Sequence, residues 1–453
     1  MEQLYSYTMA LCPHCGQKVT ARIVEKKGKI YLEKLCAQDG ISDALICSDP
    51  QWYRDSLSYI KPGQEPLAKG VAAFRGCPGS CGLCPEHEQH TCLPVIEINS
   101  GCDLDCPVCL KNFQEPFSLT TRQFDDILSS LLRAEGEVNV INLSGGEPTL
   151  HEKFGEFLDL AAARGVLQTT VSTNGLTLLD SPAIRSHFKR TGAIAALQFD
   201  GFRPSTYTYL RGRDLSREKM ATIEILEREG IKYSLVATVA RGVNADEIEQ
   251  IVDFFFRSQA LSLMFQPVTF TGQAAGLSGE ERRLTIPDVV QEIEKCRDVN
   301  KGDFNPLPCS HFSCFALSYY LKIAAGNYLS LKDFLGKEAY LDVIANKTLP
   351  GLDQSGYAII KERIYDFWSA ADTSASNEQV LKRLRQIIID LNELDFAKEK
   401  VFAAGTEFMK AIFIHQLMDA ETLDFARLMK CCNHYPRPDG RLVPMCAQNV
   451  FYQ

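Results

Sequence analysis

The chain has 453 residues and no surplus of positive charge, with 48 Lys and Arg against 57 Asp and Glu for a formal net charge of -9. Phosphate backbones are held by basic surfaces, so this balance argues against a nucleic-acid partner and gives no general attraction to anionic lipid. The opening MEQLYSYTMALCPHC lacks the basic start and apolar run of an export leader. No later stretch approaches the roughly 18 apolar residues of a membrane-spanning helix. These absences lead to the expectation of a cytoplasmic, soluble protein with no transmembrane segment. Apolar residues are not scarce: at 45% hydrophobic content the chain is ordinary globular material, long enough for two or three domains.

Cysteine is the residue in excess. Seventeen cysteines are too many for core packing alone, and a reducing cytosol would not keep them paired. An odd number in a long chain without a leader also argues against a secreted disulfide scaffold, which leaves metal ligation as the economical reading.

The stretch SGCDLDCPVCL, from Ser100 to Leu110, holds Cys102, Cys106 and Cys109 in a C-x3-C-x2-C spacing. Three thiolates can hold three irons of a cube and leave the fourth open, and an open coordination position turns a structural metal site into a catalytic one. By themselves the three cysteines could equally belong to a zinc site.

Upstream, Cys12-Pro13-His14-Cys15 precedes the alternating run ARIVEKKGKIYLEKLC, in which Lys27-Gly28 marks a hairpin turn and Cys36 follows the returning strand. With Cys47 this makes a four-thiolate site for zinc or a single rubredoxin-like iron; Asp39 is the harder-donor alternative for the fourth ligand, and Cys47 could instead be a buried thiol. Next, GCPGSCGLCPEHEQHTC places Cys77, Cys81, Cys84 and Cys92 on a glycine-rich loop suited to a fully ligated iron-sulfur cube, with a zinc ribbon as the alternative. His87 and His90 then supply hydrogen bonds rather than ligation.

From residue 93 strand and helix patterns alternate. Strands are expected at 93–99, 138–144, 167–173, 193–199, 232–239 and 261–268, with helical patterns such as TTRQFDDILSSLLRAEG, KFGEFLDLAAARG and SREKMATIEILEREG between them, each closed by a glycine. Six such units predict a parallel sheet with right-handed crossovers, and the cysteine loop follows its first strand, at the carboxyl edge where βα loops carry chemistry. Gly145, Gly146, Glu147 and Pro148 end the second strand at that edge. The paired glycines permit close backbone approach, and Glu147 offers a carboxylate to an ammonium group. Ser172 and Asn174 after the third strand, Asp200 after the fourth and Gln266 in the sixth point to the same mouth.

Together, C-x3-C-x2-C and Gly-Gly-Glu-Pro resemble the signature of the radical S-adenosylmethionine (SAM) enzymes. The blocks FRGCPGSCGLCPEHEQHTCLPVIEINSGCDLDCPVC, FQPVTFTG, PCSHFSCF, HQLMDAETLDFARLMKCCNH and DGRLVPMCAQN extend the resemblance over nearly the whole chain, to the branch that includes archaeal tetraether lipid synthase and 7,8-dihydro-6-hydroxymethylpterin methyltransferase. This resemblance implies a partial (β/α)6 radical SAM barrel at residues 93–300. It also implies a mononuclear-metal region at 1–70, an auxiliary-cluster loop at 71–92, and a C-terminal region at 301–453 carrying a second auxiliary cluster. Cys102, Cys106 and Cys109 would hold the cluster that cleaves SAM to a 5'-deoxyadenosyl radical, and Gly145, Gly146, Glu147 and Pro148 would meet the cofactor. Cys309 and Cys314 would converge with Cys446 and one of Cys431 and Cys432 on the second auxiliary 4Fe-4S cluster. Cys296 is left as a structural thiol, and His311 and His434 lie beside ligand cysteines. The chain departs from the pattern twice: Cys36-Ala37-Gln38-Asp39 stands where relatives have Cys-Pro-x-His, and Val108 stands where many relatives have an aromatic residue.

Between Phe315 and Lys430 the pattern reads as mostly helical, in SYYLKIAAGNYLSLKDFL, VLKRLRQIIIDLNELDFAKEKVFAAG and FMKAIFIHQLM, with a loop or helix cap at 372–377. A helical lid over the mouth, with a greasy channel beneath it, leads to the first functional expectation: carbon-carbon bond formation at an unactivated C-H position of a lipid alkyl chain, with peripheral membrane contact. The alternatives are one-carbon transfer to a pterin and a non-catalytic iron-sulfur or zinc scaffold. A low-potential flavodoxin- or ferredoxin-like electron donor is the expected partner.

Overall fold

The computed structural model describes residues 2–72, 76–324, 326–347 and 405–452, with scattered positions between 356 and 389. Strands β1 (Gln3–Leu11), β2 (Lys18–Lys26), β3 (Lys29–Cys36) and β4 (Gly40–Cys47) form an antiparallel sheet in chain order. Lys27 and Gly28 join β2 to β3 with φ of 51° and 71°. Two consecutive positive φ values match the right-handed twist of a two-residue hairpin, and this pins the register Glu25↔Ile30 to Thr20↔Leu35.

The second sheet contains the predicted units. β5 (Leu93–Asn99), β6 (Val140–Gly145), β7 (Gln168–Thr173), β8 (Ile194–Gln198), β9 (Tyr233–Val239) and β10 (Ser262–Pro267) lie side by side in chain order, all parallel, each end within two residues of its predicted place. Burial alternates along β9 and β10 and toward the carboxyl ends of β7 and β8. Ile96, Ile98, Ile141, Leu143, Val171, Leu197, Leu235 and Phe265 pack under the helices with Phe124, Phe157 and Phe255, whereas the opposite, inner face carries half-buried Asn142, Thr170, Ser172, Gln198, Thr238 and Gln266. Burying one such apolar side chain contributes about 1.5–3 kcal/mol, so the helix-facing positions hold the barrel wall together and the inner positions are free for polar residues. The helices Thr121–Glu135, Phe154–Ala163 and Ser216–Glu229 are followed by Gly136, Gly165 and Gly230 at φ of 77°, 84° and 68°, as left-handed caps require.

The C-terminal third differs from the helical expectation. SYYLKIAAGNYLSLKDFL falls largely on β12 (Phe315–Ala324) and β13 (Asn327–Ser330), and FMKAIFIHQLM contains β14 (Met409–His415). β11 (Asn305–Pro306) and β12 pair antiparallel, β14 pairs antiparallel with β12 and parallel with β10, and β15 (Asn433–Pro436), hairpinned to β16 (Leu442–Pro444), pairs parallel with β5. Short apolar runs suit either a buried helix or a buried strand. The aromatic and β-branched residues here, with a turn at Gly326 (φ 69°), decide for strand. The barrel sheet is thereby extended at both edges by strands from late in the chain. Residues 372–377 and most of 380–405 lie outside the described residues.

Candidate active site and metal centres

Because the central strands run parallel, their carboxyl ends share one edge, and the loops singled out after β5, β6, β7 and β8 emerge there. The cysteine loop leaves β5 and the Gly145-Gly146-Glu147-Pro148 loop leaves β6, and the two are sewn together. Gly146 N–H donates to Asn99 O (2.9 Å), Glu147 N–H to Gly101 O (2.8 Å), and Asn99 Nδ2 to Glu147 O (3.0 Å). A Cβ on Gly145 would stand 2.1 Å from Asn99 O, and one on Gly146 2.2 Å from Gly101 O. Only paired glycines let these backbones approach so closely.

Glu147 corrects an expectation. Its carboxylate is 1% exposed and accepts from Thr149 N (3.1 Å), Thr149 Oγ1 (2.6 Å), Thr173 Oγ1 (2.9 Å) and Asn174 N (2.7 Å). Four bonds fill the acceptor capacity of a carboxylate, so Glu147 brackets β6 to β7 instead of waiting for an ammonium group. Asn174 extends the bracket, since its Nδ2 donates to Asp103 Oδ1 (2.5 Å), beside Cys102, while its carbonyl accepts from Lys219 Nζ. Lys219 is wholly buried, and burial pulls its ammonium down to about 7. Asp200, also buried, is held by Arg211 through Nε (2.7 Å) and Nη2 (2.8 Å) and accepts from Thr238 N (2.9 Å). Arg211 ends the helix Pro204–Arg211, and the adjoining Gly212 lies against Asp105 and Pro107 of the cysteine loop. The guanidinium reaches the Cys106 sulfur, placing fixed positive charge beside that side chain. Ser172 exchanges hydrogen bonds with Asn142 (2.9 Å), and Gln266 donates to Met264 Sδ (3.4 Å), both on the inner face. Val108 packs with Leu210, Ala240 and Ala274 and presents no aromatic plane to a nucleobase.

Sequence reasoning missed Asp103, Arg211 and Lys219. Lys219 left one signal: it stands at the head of the buried stripe Lys219, Thr222, Ile223 and Leu226, at spacings that put a lysine on an apolar helix face.

At the N-terminal sheet, Cys12 and Cys15 lie between β1 and β2, and Cys36 ends β3. Cys15 Sγ and Cys36 Sγ are 3.7 Å apart, and Asp39 Oδ2 lies 3.2 Å from Cys12 Sγ and 3.3 Å from Cys36 Sγ. Zn–S bonds of about 2.3 Å arranged tetrahedrally imply S···S edges of about 3.8 Å, so these three thiols and one carboxylate fit a single ion. The structure does not bring Cys47 to this group. In the β3–β4 ladder Cys36 faces Gly40 while Cys47 faces Ile30, about 20 Å away along the strand. There Cys47 donates to Asp49 O (3.2 Å), and burial pushes its thiol up to about 12. Replacing Asp39 by Ala is expected to lower the metal-to-protein ratio and loosen residues 4–48, because ion binding is coupled to local folding; Cys47→Ser leaves the ratio unchanged. Metal analysis of the two purified variants checks both.

The remaining thiols converge on the seam between β5, β15 and the C-terminus, in sets other than the expected ones. The parallel pairing of β15 with β5 brings Cys92 N–H to Cys432 O (2.8 Å), and Cys92 packs with Cys314 and Cys432 while its thiol meets those of Cys309 and Cys432. Cys77 and Cys81 meet each other and pack in one cluster with Cys446, with Cys84 and Cys431 close to Cys81. Cys92 therefore leaves its sequence neighbours, and each set draws on both ends of the chain. Donors already face the sulfurs: Asn346 N on Cys309 (3.0 Å), Met418 N on Cys446 (3.3 Å) and Arg427 Nε on Cys314 (3.4 Å). His90 Nε2 lies 3.4 Å from Cys92 Sγ with its other nitrogen on Glu135, whereas His87 and His434 meet each other at 3.1 Å. Cys296 is buried and donates to Asp253 (3.1 Å), apart from both sets.

Residues 71–255 match the family described as the Radical SAM superfamily, and residues 4–48 match the HMPTM N-terminal zinc ribbon domain. Residues 71–255 thus carry a radical SAM domain. Radical SAM membership entails a 4Fe-4S cluster and SAM, and the zinc ribbon points to a further metal. Over 98% of its length the chain is 27% identical to the 7,8-dihydro-6-hydroxymethylpterin dimethyltransferase of Methanocaldococcus jannaschii, covering 94% of that protein. It is 27% identical to mycofactocin maturase MftC of Mycolicibacterium smegmatis over 34% of this chain and 39% of that one. Among solved structures, Streptococcus suis SuiB bound to S-adenosylmethionine aligns with a TM-score of 0.38 at 17% identity, covering 46% of this chain and 47% of that one. Among the described residues no helix is long and apolar enough to cross a membrane.

Proposed function

We propose that this radical SAM enzyme transfers a one-carbon unit to a small, flat, polar ring of the pterin class. The observation that carries the reading is the inner face of the barrel, where Asn142, Thr170, Ser172, Gln198, Thr238 and Gln266 supply hydrogen-bonding groups below the cysteine loop. A long alkyl chain needs an extended apolar passage, whereas a wall of amides and hydroxyls suits a ring that can hydrogen-bond. The lipid reading, with its lipid-biosynthesis role and membrane contact, gives way to the pterin reading on this argument. The 27% identity to the Methanocaldococcus jannaschii pterin dimethyltransferase over nearly the whole of both chains supports the same substrate class.

In this reading Cys102, Cys106 and Cys109 hold a 4Fe-4S cluster, which with SAM bound supplies the electron and the 5'-deoxyadenosyl radical that open an unactivated C–H bond. The chain's own residues position and exclude. The Gly145-Gly146 turn lies against the cysteine loop so that a cofactor can touch both, Glu147 and Asn174 fix the turn to β7, and Arg211 sets charge beside Cys106. Cys12, Cys15, Cys36 and Asp39 hold the mononuclear ion. Cys92, Cys309, Cys314 and Cys432 hold one auxiliary cluster, and Cys77, Cys81 and Cys84 hold a second with Cys431 or Cys446. Both clusters would relay electrons from a low-potential donor.

The test is anaerobic incubation of reconstituted enzyme with reductant and 7,8-dihydro-6-hydroxymethylpterin, with SAM and methylenetetrahydrofolate both offered as one-carbon sources. Mass spectrometry is expected to find a methylated pterin together with 5'-deoxyadenosine. An unmodified pterin, alongside 5'-deoxyadenosine whose yield ignores the pterin, counts against the reading.

A further inference from the structure

Glu97 lies on the inner face of β5, three residues before the cysteine loop begins at Ser100, with its side chain 12% exposed. A carboxylate this enclosed needs a partner, and Lys111, two residues beyond Cys109, provides one: Lys111 Nζ stands 2.7 Å from Glu97 Oε1. Lys111 is itself held by Asn449 Oδ1 (2.8 Å) and by the face of Tyr435, 4.0 Å from the ring centroid. Across from them the C-terminal helix Met445–Phe451 sets Gln448, 7% exposed, so that its Nε2 leans toward Glu97 Oε2 (3.5 Å) and donates to Tyr452 O (3.1 Å). Gln448 Oε1 is buried and accepts no hydrogen bond among the described residues. The group thus sets a carboxylate and a spare amide oxygen on one side of the barrel interior. It offers acceptors to the interior, its one ammonium being already engaged by Glu97, Asn449 and Tyr435.

We propose that Glu97 and Gln448 form the recognition edge for the amidine side of the substrate ring, with the carboxylate accepting the ring N–H and one hydrogen of the 2-amino group while Gln448 Oε1 accepts the other. The assignment rests on the pterin reading and adds to it the residues that select the ring. Two parallel N–H donors match a carboxylate bidentately, as when acidic side chains read base edges, and Lys111 holds that carboxylate in place. A ring with oxygen in place of the 2-amino group would set a lone pair against the acceptors, so the site separates 2-amino from 2-oxo rings. Hydrocarbon offers no donor and would leave the group unmatched.

The experiment measures equilibrium binding to the anaerobic, cluster-loaded full chain in the presence of SAM, comparing 7,8-dihydro-6-hydroxymethylpterin with its 2-oxo analogue, the corresponding dihydrolumazine. The unaltered protein is expected to prefer the 2-amino ring roughly ten- to hundredfold. Glu97→Gln and Gln448→Met are expected to erase most of that preference while iron content stays the same. A purely structural role would change stability or iron content and leave the ratio of the two affinities alone. Should Glu97→Gln fail to fold with Lys111 unpaired, Gln448→Met, which touches no charge, carries the test by itself. Equal binding of the two rings by the unaltered protein overturns the inference, as does a preference retained in the variants; binding of neither ring overturns the pterin reading and the inference with it.

Discussion

Replacing Cys102, Cys106 and Cys109 together by Ala is expected to abolish 5'-deoxyadenosine formation under strong reductant and to lower iron by about four per chain, the content of one cube. These cysteines sit on the loop pinned to the Gly145-Gly146 turn, whereas the thiols proposed for the auxiliary clusters lie elsewhere, on the seam with β15 and the C-terminus. The triple change removes three ligands without touching the β15–β5 pairing, so the remaining clusters and the mononuclear site are expected to persist. Iron and sulfide analysis with chromatographic detection of 5'-deoxyadenosine checks both parts. Undiminished 5'-deoxyadenosine would remove these residues from the catalytic role.

Gly146→Ala is expected to be nearly as damaging by a different route. The added Cβ would stand 2.2 Å from Gly101 O and 2.6 Å from Ser100 O. Both are backbone atoms of the loop bearing Cys102, so no side chain can swing aside, and the two loops must separate by the better part of an ångström. Misplacement on that scale costs on the order of a hundredfold in rate when reactants must be held in line. Iron content is expected to stay near that of the unaltered protein, because no ligand is lost, whereas the change that SAM produces in the electron paramagnetic resonance spectrum of the reduced cluster weakens or disappears. A variant with normal turnover would mean that the two loops need not touch. Gly405→Ala is the control, since its Cβ meets nothing within 4 Å, its φ lies outside the left-handed region, and the position lies far along the chain from the cysteine loop.

The sequence by itself determined whatever depends on neighbours along the chain. The alternation from Leu93 to Pro267 set six parallel strands and hence one carboxyl edge. Cys102, Cys106, Cys109 and the Gly145-Gly146 pair therefore had to share that edge, and Lys27-Gly28 closed its hairpin through backbone preferences that glycine alone relaxes. Tertiary structure decided what depends on register and on partners far apart in the chain. Cys47 is kept away from Cys12, Cys15, Cys36 and Asp39 because antiparallel pairing with β3 carries the two ends of β4 to opposite ends of the sheet. Cys92 joined Cys432 because β15 pairs with β5 across more than three hundred residues. The carboxylate of Glu147 turned from ligand to bracket only once Thr149, Thr173 and Asn174 filled its lone pairs. A short apolar run such as Met409–His415 suits helix and strand alike until an edge is available, and the open edge of β10 is what made it a strand.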